Sequence, residues 1–168
     1  AMDLGADQDR AASAAPSVSA RLATGIDRET RYNPIRVQNG LLGIGKPMRF
    51  LITDPGSVQS GMLIDQPDTL ALDYTQHYAL AWHMAPEARK FLMLGGGGYS
   101  VPKHLLRTKP AATVDVVEID PGITLAAKAY FALHHNPRLR VFHAAARVFL
   151  HPNPVDPPAR SHLSMGGT

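Results

Sequence analysis

The chain predicts an α/β protein in which a small N-terminal antiparallel β-domain precedes a βαβαβ unit. Three observations carry that prediction. Short apolar–polar alternations separated by turn residues fill the stretch from Ile35 to Met62, the pattern of a half-buried antiparallel sheet. An apolar run, Phe91-Leu92-Met93-Leu94, leads directly into a glycine cluster, Gly95-Gly96-Gly97-Gly98. After a helix-length gap, a second apolar run from Val114 ends in acids, Glu118 and Asp120. Strand, glycine turn, helix and strand are the parts of a parallel unit. The chain divides on this basis into a flexible segment (1–30), a β-domain (31–70), a partial Rossmann-like nucleoside-binding domain (71–150) and a proline-rich tail (151–168).

Each element has its own signal. Residues 1–30 are small and polar and lack a core-forming pattern. Ile35-Arg36-Val37 alternates and is followed by Asn39-Gly40, a pair that favours a hairpin turn. Met48–Thr53 is the next strand, closed by Asp54-Pro55-Gly56-Ser57, and Val58–Met62 the third. Gly43-Ile44-Gly45-Lys46 is a loop and not a phosphate cradle, because Pro47 stands where a magnesium-binding hydroxyl belongs. Asp73 to Met84 has helical spacing, with Tyr74, His77, Tyr78, Ala81 and Trp82 on one broad face that reads as packing rather than a substrate cage. The glycine loop should open a helix reaching about Arg107. Asp120-Pro121 is an N-cap followed by proline at the first helical position, and its helix should reach about Leu133 before His134-His135-Asn136-Pro137 stops it. Leu139–Phe142 is a third parallel strand, and Ala144–Leu150 a short helix. Beyond it, four prolines within seven positions (152–158) exclude a central strand.

Composition excludes several functions. Hydrophobic residues make up 45% of 168 residues, enough for one core. A net charge of +3 without a Lys/Arg stripe gives nucleic acid no purchase. The longest apolar stretches fall well short of the roughly 20 residues a membrane span needs. The absence of cysteine removes disulfides and thiolate metal sites, and the eight histidines show no ligand spacing with an accompanying acid, so no metal is expected. These features suit a cytoplasmic protein.

The glycine cluster and the strand-end acid point to nucleoside binding. Glycines turn the backbone sharply and let a ligand approach a helix N-terminus with no side chain between. An acid at the tip of the second strand accepts hydrogen bonds from both ribose hydroxyls, and Glu118 follows Gly98 by 20 residues, close to the spacing for that role. Tyr99 either covers the ligand or packs on the first strand. Asp115 alternates outward from its strand and reads as solvated, and Arg147 as a surface residue.

The order Arg31-Tyr32-Asn33-Pro34-Ile35-Arg36-Val37, Val58-Gln59-Ser60-Gly61-Met62, Leu72-Asp73-Tyr74, the glycine loop, Val117-Glu118-Ile119-Asp120-Pro121 and Arg138-Leu139-Arg140-Val141 resembles the spermidine synthase family of aminopropyltransferases. The resemblance runs from about Tyr32 to Leu150 and implies a methyltransferase-type (class I) Rossmann fold, truncated after its third strand. It implies decarboxylated S-adenosylmethionine or S-adenosylmethionine as cofactor, an amine acceptor, and a homodimer that covers a strand edge near 90–94 or 113–118 or the face around Trp82. The implied cofactor-binding residues are Gly95, Gly96, Gly97, Gly98, Glu118, Ile119 and Gln59, and the implied substrate-binding residue is Tyr74. Departures accompany these matches. Gly98 replaces an aspartate that grips an amine, Ala144-Ala145-Ala146 replace an adenine-binding aspartate, and Thr75 replaces the polar residue after the pocket tyrosine. The aspartate-rich segment carrying the general base has no counterpart, so no catalytic residue is assigned. The expected activity is therefore weak aminopropyl transfer, with methyl transfer to another small acceptor, or a non-catalytic binding or dimerisation module, as the alternatives.

Overall fold

The computed structural model describes residues 25–42, 45–54 and 57–151. Residues 1–24, the Gly43-Ile44 and Pro55-Gly56 turn positions and the tail from 152 onward lie outside the described residues. Four antiparallel strands form the first sheet in sequence order: β1 (Gly25–Arg28), β2 (Ile35–Leu42), β3 (Lys46–Asp54) and β4 (Ser57–Leu63). β1 falls inside the segment expected to be flexible; it pairs with β2 from Gly25 opposite Gln38 to Arg28 opposite Ile35, with Asp27 binding Arg36 on the exposed face. Along β2, Ile35, Val37 and Asn39 point into the core and Arg36 and Gln38 outward, as the alternation requires.

Asn39-Gly40 does not turn. β2 runs straight through it to Leu42 because both residues are used on the sheet face. Asn39 Oδ1 accepts from Arg49 Nε at 2.8 Å, and a Cβ on Gly40 would lie 2.9 Å from the Phe50 ring. The chain reverses later, where Gly45 adopts φ +93°.

Helix α1 (Asp73–His77) and helix α2 (Ala79–Met84) replace the single helix expected over 73–84. Of α1 only Thr75 is buried, while Tyr74 and Tyr78 are about half exposed, so the aromatic spacing does not mark one packed face. Trp82 alone of that set packs against the core, with its ring centroid 6.2 Å from that of His104.

The second sheet is parallel and has the order β5 (Lys90–Leu94), β6 (Thr113–Glu118), β7 (Leu139–His143). Residues 113–118 are thus the central strand and not an edge; the edges among the described residues are β5 and β7. Helix α3 (Ser100–Thr108) joins β5 to β6, and helix α4 (Pro121–Tyr130) joins β6 to β7. Pro102 is tolerated because the first-turn N–H groups of a helix have no intrahelical partner. Asp120 caps α4 by accepting from Gly122 N at 2.8 Å. That helix ends at Tyr130, three residues before the expected stop, where Ala132 takes φ +52°. Helix α5 (Ala146–Leu150) follows β7. Asp115, expected to be solvated, is partly buried and forms an ion pair with Arg140 across the β6–β7 step at 2.5 Å.

One core joins the two sheets. Ile35, Val37, Leu51 and Met62 of the first sheet meet Leu105 and Leu106 of α3, Ile123, Ala126 and Ala127 of α4, and Val114 and Val116 of β6. Polar ties reinforce the junction. Arg49 donates to Tyr130 O at 2.8 Å, and the buried Lys103 ammonium donates to Phe131 O (2.5 Å) and Pro67 O (2.9 Å) and contacts Met62 Sδ (3.4 Å). The first sheet is thereby fixed against the carboxyl ends of β5 and β6, where parallel sheets bind ligands. No helix among the described residues is long and apolar enough to cross a membrane.

Candidate functional site

A cleft of about 440 Å³ opens where β4, α1 and the Tyr32-Asn33 segment face the tips of β5 and β6. Its volume lies within the roughly 300–1,000 Å³ usual for small-molecule sites. At its floor is the glycine loop. Gly95 (φ +86°) and Gly97 (φ +52°) make the turn, and Gly95 N donates to Val117 O at 2.8 Å, holding the loop to the neighbouring strand. Space is tightest at Gly96, where a Cβ would lie 2.5 Å from the Tyr99 ring.

Tyr99 resolves the choice left open by the sequence. It is fully buried beneath the loop, and its hydroxyl is 2.8 Å from Thr124 Oγ1, so it packs and does not cover a ligand. Burial raises its phenol pKa. Its φ of +55° is a left-handed conformation that a bulky residue adopts only when its surroundings impose it.

Glu118 sits at the tip of β6, 7% exposed, and both its oxygens are engaged. Gly96 N donates to Oε2 at 2.8 Å and Asp120 N to Oε1 at 2.9 Å. Two backbone donors fix the carboxylate in one orientation. Each oxygen keeps a second lone pair for a ligand hydroxyl, which is the geometry a vicinal diol requires. Ile119 and Asp120 continue the cleft wall.

Of the residues singled out from the sequence, Gln59, Tyr74, Gly95, Gly96, Gly97, Glu118 and Ile119 line this cleft together. Gly98 is placed behind it. A Cβ there would lie 2.8 Å from Ser60 Oγ and 3.1 Å from the Phe131 ring, so a side chain at this position requires Ser60 to shift. Tyr74 donates its hydroxyl to Gln59 O at 2.9 Å, which ties α1 to β4, and burial raises its pKa.

Four features escaped sequence reasoning. Thr30 donates to Asp120 across 90 positions and accepts from Asn33 N at 3.1 Å, so the β1–β2 connection is clamped onto the start of α4. That clamp brings Tyr32 and Asn33 to the cleft. Ser60 fills the space against Gly97 and Gly98. His143 lies opposite Glu118 on β7, its Nε2 3.2 Å from Thr124 Oγ1, and burial lowers its pKa. The Tyr32-Asn33 wording and the strand-end place of His143 were visible signals; the Thr30 contact had none. Among the described residues no cluster of His, Asp or Glu could hold a metal ion.

Comparison with known proteins places this geometry. No family model matches the chain. The polyamine aminopropyltransferase of Vibrio vulnificus is 37% identical over 65 residues, which is 39% of this chain and 22% of that protein. A probable spermidine synthase from Corynebacterium glutamicum shares the fold with a TM-score of 0.61 and 19% identity, over 75% of this chain and 46% of that one. The Thermotoga maritima spermidine synthase gives 0.56 and 16%, over 74% and 41%. A spermidine synthase bound to the transition-state analogue AdoDATO gives 0.57 and 16%, over 74% and 42%. The chain spans less than half the length of each of these proteins. The chain is thus similar to a polyamine aminopropyltransferase over a local stretch of sequence and shares its two-sheet fold with spermidine synthases.

Proposed function

We propose that the cleft binds an adenosyl sulfonium, decarboxylated S-adenosylmethionine or S-adenosylmethionine, and serves aminopropyl transfer to an amine acceptor. The observation that carries this reading is Glu118, held by Gly96 N and Asp120 N with lone pairs left for a ribose diol. Gly95, Gly96 and Gly97 fit beside it as the part of the wall that a ligand can approach closely. Ile119 and Gln59 complete the nucleoside side, and Tyr74 the acceptor side. The Vibrio relative's name and the analogue bound to a spermidine synthase support the same ligand class.

The transfer is an in-line displacement. An amine lone pair attacks the methylene beside the sulfonium; the C–N bond forms, the C–S bond breaks, and its electron pair neutralises sulfur to leave methylthioadenosine. The attacking nitrogen sheds its proton to solvent water. The cleft contributes position, because holding the two reactants in line removes much of the entropic barrier. Gly98 favours a second reading. With no carboxylate at that position, the grip on a diamine is weak, and methyl transfer to another small acceptor becomes the rival reaction.

Domain boundaries near residues 70 and 150 belong to this reading, as does a homodimer. β5 exposes Leu92 and Leu94 by 48% and 49%, and an apolar strand edge of this kind invites a second copy. Light scattering should give a dimer; a mass of 18.1 kDa at every concentration removes that part of the proposal.

Calorimetric titration with S-adenosylmethionine, its decarboxylated form and methylthioadenosine tests the ligand assignment. Saturable binding of methylthioadenosine is expected, and the absence of binding by all three overturns it. Product analysis with putrescine then separates aminopropyl from methyl transfer.

A further inference from the structure

The cleft has two chemically different ends. Both carboxylates among its described lining residues, Glu118 and Asp120, stand at the nucleoside end. There Asp120 is already engaged by Gly122 N and the Thr30 hydroxyl. The opposite end is lined by Thr53, Val58, Tyr74 and Tyr78. The Tyr74 hydroxyl is committed to Gln59 O, so that residue offers the cleft its ring.

Tyr78 is the residue at the break between α1 and α2. Its backbone stays helical (φ −62°, ψ −21°), so it projects one turn beyond Tyr74 on the same side. Both rings are about half exposed. Asp73 and His77, on the same short helix, line a separate shallow recess with Leu80 and His83. The acidic side of α1 therefore faces away from the cleft.

Resting on the adenosyl reading above, we propose that Tyr78 makes the acceptor end a phenol-ring mouth selecting a primary monoamine with an apolar body over a diamine. Ring faces and Val58 bury an apolar body and weakly attract one cationic head. A diamine would bring a second ammonium into a wall with no carboxylate among the described residues, where its desolvation is uncompensated.

The test is calorimetric titration of the chain saturated with methylthioadenosine, using phenethylamine and putrescine as probes. Phenethylamine should bind about tenfold more tightly, equivalent to about 1.4 kcal/mol. Tyr78→Phe should keep that preference and Tyr78→Ala should lose it. Tyr78→Glu places a carboxylate at an exposed position that tolerates one, and should reverse the preference toward putrescine. Equal or tighter putrescine binding by the unmodified chain overturns the proposal, as does a Tyr78→Glu chain with unchanged preference. Failure of methylthioadenosine to bind removes both readings together, whereas its binding without the amine preference removes this one alone.

Discussion

The end of the cleft around Glu118, proposed for the nucleoside, and the end around Tyr74 and Tyr78, proposed for the acceptor, are built to different standards of rigidity. Around Glu118 both carboxylates have fixed partners: Glu118 holds two backbone N–H groups, Asp120 caps α4 and takes the Thr30 hydroxyl, and Gly96 lies against the buried Tyr99 ring. At the other end the half-exposed Tyr74 and Tyr78 lie on and just after a five-residue helix, followed by one of six residues, and neither helix has a side-chain cap. Helices so short have little stability of their own and depend on their contacts. One end is held rigidly enough for a ligand fragment of fixed shape, and the other can shift without disturbing it.

Breaking the rigid end should cost most. Glu118→Ala leaves two buried N–H groups without acceptors, at about 1–3 kcal/mol each, and removes a charged hydrogen-bond acceptor worth about 1.5–3 kcal/mol to the ribose. The melting temperature should fall, and methylthioadenosine affinity should drop by about tenfold to a hundredfold. Wild-type affinity in this variant would end the ribose assignment. Gly96→Ala comes next. Its methyl group would meet a ring that cannot retreat, because Tyr99 is fully buried and held by Thr124, so the loop itself must move. Overpacking of that kind costs about 1–3 kcal/mol. Thermal unfolding would register it, and an unshifted melting curve would show that the loop has slack.

The same contrast explains what could be read from the sequence. Glu118, the glycine turn and the Asp120-Pro121 cap were legible because each is a local pattern whose chemistry depends on near neighbours in the chain. Parallel order and both crossover helices followed from the same runs. Asn39-Gly40 misled because its turn preference lost to the Phe50 ring packed over Gly40. The break at Tyr78 was hidden because the helical spacing of 73–84 carries on across it. Thr30 and Ser60 reach the site through contacts between distant segments, which no local period encodes.

Lys103 spans both ends, since Pro67 O lies on the approach to α1 and Phe131 stands behind Gly98. Burial, only partly opposed by Asp68, pushes its pKa down from 10.5 to about 8. Between those values the unfolded chain binds a proton that the folded chain does not. The cost of the buried charge is therefore fully present below pH 8 and is relieved as the pH rises toward 10.5. From pH 7.5 to 9.5 the unfolding free energy should rise by about 2 kcal/mol from this residue. Denaturant unfolding of wild type against Lys103→Met isolates the contribution, because the difference between the two should narrow or change sign with pH. A difference that stays constant across the window would mean that Lys103 titrates alike in both states.

Tyr74→Phe should have the smallest effect and sharpens the comparison most. The substitution removes one hydrogen bond, to Gln59 O at 2.9 Å, from a side chain that is 47% exposed. Such a bond contributes about 0.5–1.5 kcal/mol, and partial exposure puts this one at the low end because water can replace the lost partner. The ring still packs, so α1 should stay folded while its tie to β4 loosens. Methylthioadenosine affinity should be unchanged within about twofold, since Glu118 and the glycine loop are untouched. Amide hydrogen exchange over residues 73–78 should rise, while exchange over β6 stays as it was. A matching loss of nucleoside affinity would mean that the two ends are coupled through β4, and that the acceptor end is less independent than its geometry indicates.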